Sequence, residues 1–242
     1  MILSFSLTGR ERKNKAAMIP HRNKVEAFDI KTIGTWTSET THVVASKRNT
    51  AIGLQGLVNG RPIVTSDYLD AIEKVARQPT ESGERSLLEV NFDENFPSPD
   101  DFLPPHQNEP VDRPVGLYRP DERRRKLFDG WVFIFCDDTQ YSNLLGPITD
   151  AHGKAEKFTL QYPNTIAPDI VDFVKKRGQS GEVVPVRFTY KKDMDWSDNL
   201  VAECEKLLVH LDFRLKVADD VQAWLPNGCA ERISGHHSHL QH

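Results

Sequence analysis

The chain opens on a short apolar run, ILSFSL, that stops at Thr8-Gly9, and two more short apolar stretches follow, DIKTI (Asp29 to Ile33) and THVVA (Thr41 to Ala45). Runs of this length, rich in β-branched residues and bounded by turn-formers, predict strands. Between Thr50 and Asn59 the apolar residues Ile52, Leu54, Leu57 and Val58 recur at helical spacing, and Gly60 stands where a helix is commonly closed. RPIV predicts a further strand. Ser66 is then the expected N-cap of a helix carrying Tyr68, Leu69, Ile72 and Val75 on one face. With a helix in the polar stretch after the first strand, the order becomes strand, helix, strand, strand, helix, strand, helix. Strands separated by helices predict an α/β fold with a parallel sheet and helices on its faces.

The pattern breaks between Gln78 and Asp121, where FDENFPSPDDFLPPHQNEPVDRP brings prolines and acids together. Proline lacks the amide hydrogen that helix interiors and central strands require, so a linker is expected. Phe92, Phe96, Phe102 and Leu103 within it predict a strap lying against folded structure, because disordered chains carry few aromatics.

A second set of elements follows. WVFIFC (Trp131 to Cys136) is nearly continuous in apolar residues, as in a strand covered on both faces. A helix through Tyr141, Leu144, Leu145 and Ile148, a turn at His152-Gly153 and a strand near AEKFTL come next. Pro168 suits the first turn of a helix bearing Ile170, Val171, Phe173 and Val174. Pro185 inside EVVPVRF predicts an edge strand or a bulge. Ser197 is the expected cap of a last helix with Leu200, Val201, Cys204, Leu207, Leu208 and Leu211. The second half thus repeats the first, and four segments are expected: repeats at 1–77 and 126–226, a linker at 78–125 and a tail at 227–242.

Composition narrows the class. No apolar run approaches the roughly 20 residues of a membrane span, and the first residues place apolar before basic, the reverse of a secretory signal. The cysteines Cys136, Cys204 and Cys229 are too far apart for a C-x-x-C motif, which predicts reduced thiols and no metal. Net charge is -4, distributed as +5 over residues 1–77, -8 over 78–122 and -1 over 123–242. One anion-friendly surface is expected, not a general coating for DNA.

Three features invite chemistry. Asp137-Asp138-Thr139, directly after an apolar strand, stand where a magnesium-dependent phosphotransfer enzyme places carboxylates. The spacing of such a phosphatase is absent, as is a Gly-rich phosphate loop, so a helix cap by Asp138 or Thr139 is the preferred reading. The basic run Arg123-Arg124-Arg125-Lys126 can contact phosphates but reads first as a solvated approach to a domain. His236, His237, His239 and His242 have no cysteines or carboxylates at ligand spacing and read as a terminus. Trp36, Trp131 and Trp224 are assigned to core or inter-repeat packing.

Particular residues go further than pattern. ETTHVVASKRNTAIGLQGLVNGRPIVTSDYLDAI resembles the core of a BRCT domain. KRNT, GLQGL and NGRPIV, the linker phrases FLPP and EPVDRP, and KLFDGWVFIFCDDTQYSNLLGPITDAHGKAE are similar to the tandem BRCT region of the fungal-type nibrin family. The likeness covers about residues 3–215. It implies two α/β repeats, each with a small parallel four-stranded sheet, in a nuclear, non-enzymatic scaffold of the DNA double-strand-break response with roles in checkpoint signalling and telomere upkeep. The implied partners are phosphorylated damage-response proteins, with nuclease and ATPase subunits engaged through regions outside this chain, DNA contact indirect or weak, and no cofactor or membrane. Nibrins also carry a forkhead-associated domain and a long tail that this sequence lacks, so a fragment is expected.

BRCT repeats that read phosphate place Ser/Thr-Gly after the first strand and T-x-K at the second helix. The resemblance therefore points to Thr8 and Gly9, and to Thr50 at the start of that helix; here the motif reads Thr50-Ala51-Ile52, without the lysine. Lys47, Arg48 and Arg10 are the candidates to replace its charge. A 5′-phosphate of DNA is an alternative ligand.

Overall fold

The structure is a computed structural model, and it describes residues 1–14, 16–81, 83, 85–107, 114–178 and 182–209. Two compact units divide the chain, Met1–Glu122 and Arg123–His242.

In the first unit, β1 (Ile2–Phe5), β2 (Lys31–Ile33), β3 (His42–Val44) and β4 (Ile63–Val64) form an all-parallel sheet in the order β2-β1-β3-β4. The helices are α1 (Gly9–Lys13), α2 (Ile19–Val25), α3 (Ala51–Val58) and α4 (Asp67–Arg77). Successive strand residues face opposite sides of a sheet, so Val43 and Val44 serve different layers. Leu3, Phe5 and Val44 join Val25 of α2 and Tyr68, Leu69 and Ile72 of α4 in one buried cluster. On the other side α3 sits so close that a Cβ on Gly56 would lie 2.5 Å from the Val43 side chain. Ser4, fully buried between the apolar residues of β1, is satisfied by the Thr40 hydroxyl at 2.6 Å. Gly60 ends α3 with φ +65°, the left-handed conformation for which glycine is suited.

The stretch after α4 carries two one-turn helices, α5 (Leu87–Val90) and α6 (Phe92–Asn95), although its prolines predict none. Side-chain caps from Ser86 and Asn91 start them ahead of those prolines. The strap then lies on the first unit. The Thr65 N–H donates to the Phe102 carbonyl at 2.8 Å, and the Phe96 and Phe102 rings meet Tyr68 at 6.3 and 5.3 Å. Phe92 stacks on Phe96 but stays mostly exposed.

The second unit is built on β5 (Trp131–Phe135), β6 (Lys154–Lys157) and β7 (Glu182–Pro185), parallel and ordered β6-β5-β7, with α7 (Asp138–Asp150), α8 (Ala167–Gly178) and α9 (Met194–Val209). Among the described residues this sheet has three strands where four are expected. The Phe158 N–H still donates to the Phe135 carbonyl, but the stretch from Thr159 to Ile166 folds on itself: the Gln161 N–H donates to Thr165 Oγ1 at 2.7 Å and the Thr165 N–H returns to the Gln161 carbonyl. Pro185 lies on the edge strand β7, as its missing donor requires. Val132, Ile134, Ile170, Val171, Val174, Leu200, Val201, Cys204 and Leu208 form the core, with Trp196 packed against it.

Two expected caps move. Ser66 already has helical backbone angles and makes no capping bond. Ser197 is buried one turn inside α9, its hydroxyl donating to the Met194 carbonyl, and the cap is Asp193, whose Oδ1 accepts from the Trp196 N–H at 2.9 Å. Trp131 stacks on Phe133, and Trp36 is half-buried. Leu211, Trp224 and the histidine-rich end lie outside the described residues. No helix among the described residues is long and apolar enough to cross a membrane.

Candidate phosphate-binding site

Parallel strands direct all their carboxyl ends to one edge of the sheet, and in open α/β folds that edge is where ligands gather. β1 and β3 are neighbours in the first unit, with Phe5 opposite Val44. The segments that leave them hold Thr8-Gly9-Arg10 and Lys47-Arg48-Asn49-Thr50, so the topology brings both predicted motifs to the same edge.

Thr8 is the N-cap of α1. Its hydroxyl accepts from the Glu11 N–H at 3.3 Å, while the Thr8 N–H donates to Glu11 Oε2 at 2.7 Å. The Thr8 N–H, and after it the Thr8 side chain beside the carboxylate, hold the Glu11 carboxyl below the usual carboxylate range. An anion therefore already occupies the Thr8 N–H, and a phosphate using that donor must displace it. T-x-x-E is a capping-box signature, so the pairing of Glu11 with Thr8 is legible in the sequence. Space above Gly9 is open: a Cβ there would meet nothing within 4 Å.

Thr50 caps α3, accepting from the Gly53 N–H at 3.1 Å. Ile52 is 7% exposed and belongs to the core, so the position of the family's lysine points inward here. The cations divide. Arg10 and Lys47 are exposed at the sheet edge. Arg48, expected as a phosphate cation, is instead buried: its Nε donates to the Pro104 carbonyl and its guanidinium lies 4.7 Å from the centre of the Tyr118 ring. Burial within the strap, not sequence distance, removes it from the exposed set.

In the second unit Asp137 caps α7, its Oδ1 accepting from the Gln140 N–H at 2.7 Å, so the cap is one residue earlier than expected. Asp138 pairs with Lys157 at 3.0 Å. Both carboxylates are thus engaged, and among the described residues no group of three or more His, Cys, Asp or Glu is arranged to hold a metal. The basic run forms a short 3-10 turn in which Arg124 is buried, so it is not wholly a solvated stretch.

The model of the second BRCT domain on Nijmegen syndrome breakage protein matches residues 122–212. Over those residues the second repeat is similar to the nibrin-type BRCT domain. Solved structures extend the BRCT fold to both halves: the BRCT5-BRCT6 domains of fission yeast (S. pombe) Brc1 are similar over 96% of this chain and 94% of that one, at 13% identity and TM-score 0.50. The chain thus has the tandem BRCT fold, and its second half is similar to nibrin. The S. pombe Nbs1 FHA/BRCT-repeat domain aligns at 12% identity and TM-score 0.45, over 87% of this chain, which spans 62% of that one. The S. pombe Nbs1-Ctp1 complex aligns at 11% identity and TM-score 0.42, covering 93% and 56%.

Proposed function

We propose that this chain is a non-enzymatic scaffold of DNA double-strand-break repair, acting in the nucleus on chromatin at breaks, and that its first repeat docks phosphorylated damage-response proteins. The observation that carries the reading is the nibrin-type match over residues 122–212, joined in one chain to a first unit of BRCT fold. Thr8, Gly9 and Thr50 at the carboxyl edge of β1 and β3 supply the phosphate donors, with Arg10 and Lys47 as exposed cations and Arg48 bracing the strap behind them. Roles in checkpoint signalling and telomere upkeep, and association with nuclease and ATPase subunits through other regions, belong to the same proposal. The engaged state of Asp137 and Asp138 supports a scaffold over a phosphotransfer enzyme.

The experiment is a fluorescence-anisotropy titration with matched phosphorylated and unphosphorylated peptides. A hydrogen bond to a charged group contributes about 1.5 to 3 kcal/mol, so Thr8→Ala or Lys47→Ala should weaken the phosphorylated peptide roughly tenfold or more and leave the other unchanged. Equal affinity for both peptides, unmoved by either substitution, would remove the first repeat as a phosphate reader.

A further inference from the structure

The second unit carries an aromatic cluster that the phosphate site does not use. Tyr162, in the turn from Thr159 to Ile166, stacks on Tyr190 with ring centres 5.1 Å apart. Trp196, in the first turn of α9, stands across both ring planes at 5.2 and 5.4 Å. Asp193 ties the two segments together: its Oδ2 accepts from the Tyr162 hydroxyl at 2.9 Å, and its Oδ1 caps α9 at the Trp196 N–H. Pinning the turn to α9 would explain buried rings. Tyr162 is instead 46% exposed, and the same two segments carry Ile166 and Met194 at 55% and 58%. The Tyr190 hydroxyl and the Trp196 indole N–H have no hydrogen-bond partner among the described residues, and both stay open to water.

We infer that this cluster docks a proline-rich segment of a partner protein, held in polyproline II conformation with an Arg or Lys beside the prolines. The inference concerns the second repeat and does not rest on phosphate reading by the first. Unused donors next to exposed aromatic surface select a ligand that offers carbonyls. A proline-rich segment offers them, has few N–H groups of its own to satisfy, and is extended before it binds, so little conformational entropy is lost. A segment with many free N–H groups would need acceptors, and both oxygens of Asp193 already accept. Length agrees: one polyproline II turn rises about 9 Å, enough to cross rings in mutual contact. Charge complementarity sets the sign of the flank. The Asp193 carboxylate lies at the rings, Asp195 beside it is exposed with no ion pair among the described residues, and aromatic faces attract cations. Lys191 and Lys192, exposed on the preceding loop, offset part of that charge, so the prolines contribute more than the basic residue.

The test uses the whole chain and short synthetic peptides: proline-rich with a flanking Arg, the same with the prolines replaced by alanine, and the same with Arg replaced by Glu. Affinity is read by fluorescence anisotropy, and contact by the NMR shift of the Trp196 indole N–H, assigned with Trp196→Phe. The proline–Arg peptide should move that resonance. Alanine in place of proline should weaken binding about tenfold or more, and Glu in place of Arg about two- to fivefold at low salt. Tyr190→Phe keeps the ring and removes one donor, so it should weaken the proline–Arg peptide about three- to tenfold. Tyr162→Ala should weaken it more. Equal affinity for the proline and alanine peptides, an unmoved Trp196 resonance, or binding unchanged in Tyr190→Phe overturns the inference. So does a Glu-flanked peptide that binds as tightly as the Arg-flanked one.

Discussion

His42 gives the first unit a built-in sensitivity to acid. It starts β3, lies opposite Leu3 of β1, stacks on the buried Tyr68 ring at 5.5 Å, and its Nδ1 is 3.1 Å from the Thr41 hydroxyl. Burial, reinforced by the amino terminus and Arg61, lowers its pKa from 6.5 to about 4. In the unfolded chain the ring takes up its proton near pH 6.5, while in the fold it stays neutral until about pH 4. The unfolded state therefore binds more protons across that window, and stability falls as pH falls through it; above the window both states are neutral and nothing changes. A depression of this size is worth about 3 kcal/mol when fully expressed, and about 2 kcal/mol of it is lost between about pH 7 and pH 5. His42→Gln keeps a polar, neutral side chain without the titration. Urea unfolding of both proteins, followed by hydrogen exchange at the amides of β1 and β3, should show wild type losing about 2 kcal/mol more than the variant over that interval. His21, lowered in the same direction, titrates in both proteins and cancels from the difference. Equal losses in the two proteins would refute the assignment of acid sensitivity to His42.

Asp137→Ala should cost about 1 kcal/mol by removing the α7 cap, and Asp137→Asn much less, since asparagine caps well; magnesium-dependent release of phosphate from a simple ester, lost in Asp137→Asn, would contradict the scaffold reading. Arg48→Met should destabilise the strap by about 2 to 3 kcal/mol, leaving the Pro104 carbonyl without its donor and the Tyr118 face without its cation, and limited proteolysis between Phe102 and Gln107 should accelerate. Burial pushes the Cys136 and Cys204 thiols up to about 12, so in a Cys229→Ser background a thiol reagent should label the native chain slowly and the urea-unfolded chain at once; fast native labelling would refute that burial. Gly153→Ala places a Cβ 2.8 Å from both Ile148 Cγ2 and Phe128 Cβ, and a melting curve should show a loss of about 1 to 3 kcal/mol.

Local pattern determined the strands and helices that surround the core. ILSFSL, THVVA and WVFIFC became β1, β3 and β5, the helical spacing of Ile52, Leu54, Leu57 and Val58 became the buried side of α3, Gly60 took the left-handed angle, and Pro185 went to an edge. These outcomes depend on periodicity and backbone sterics, which neighbouring residues carry by themselves. Thr8-Gly9 and Thr50 were legible for the same reason, as residues that close a strand or open a helix. Tertiary structure alone decided which cation stays exposed: Lys47 and Arg48 are adjacent in sequence, yet only Arg48 meets Pro104 and Tyr118, residues more than fifty positions away. It also decided that Asp193 and not Ser197 caps α9, and that Thr159 to Ile166 turns back on itself instead of adding a strand. Each of these is a choice between partners that satisfy the same donor or fill the same space. The choice depends on which groups the folded chain brings within bonding distance, and a one-dimensional pattern does not contain those distances.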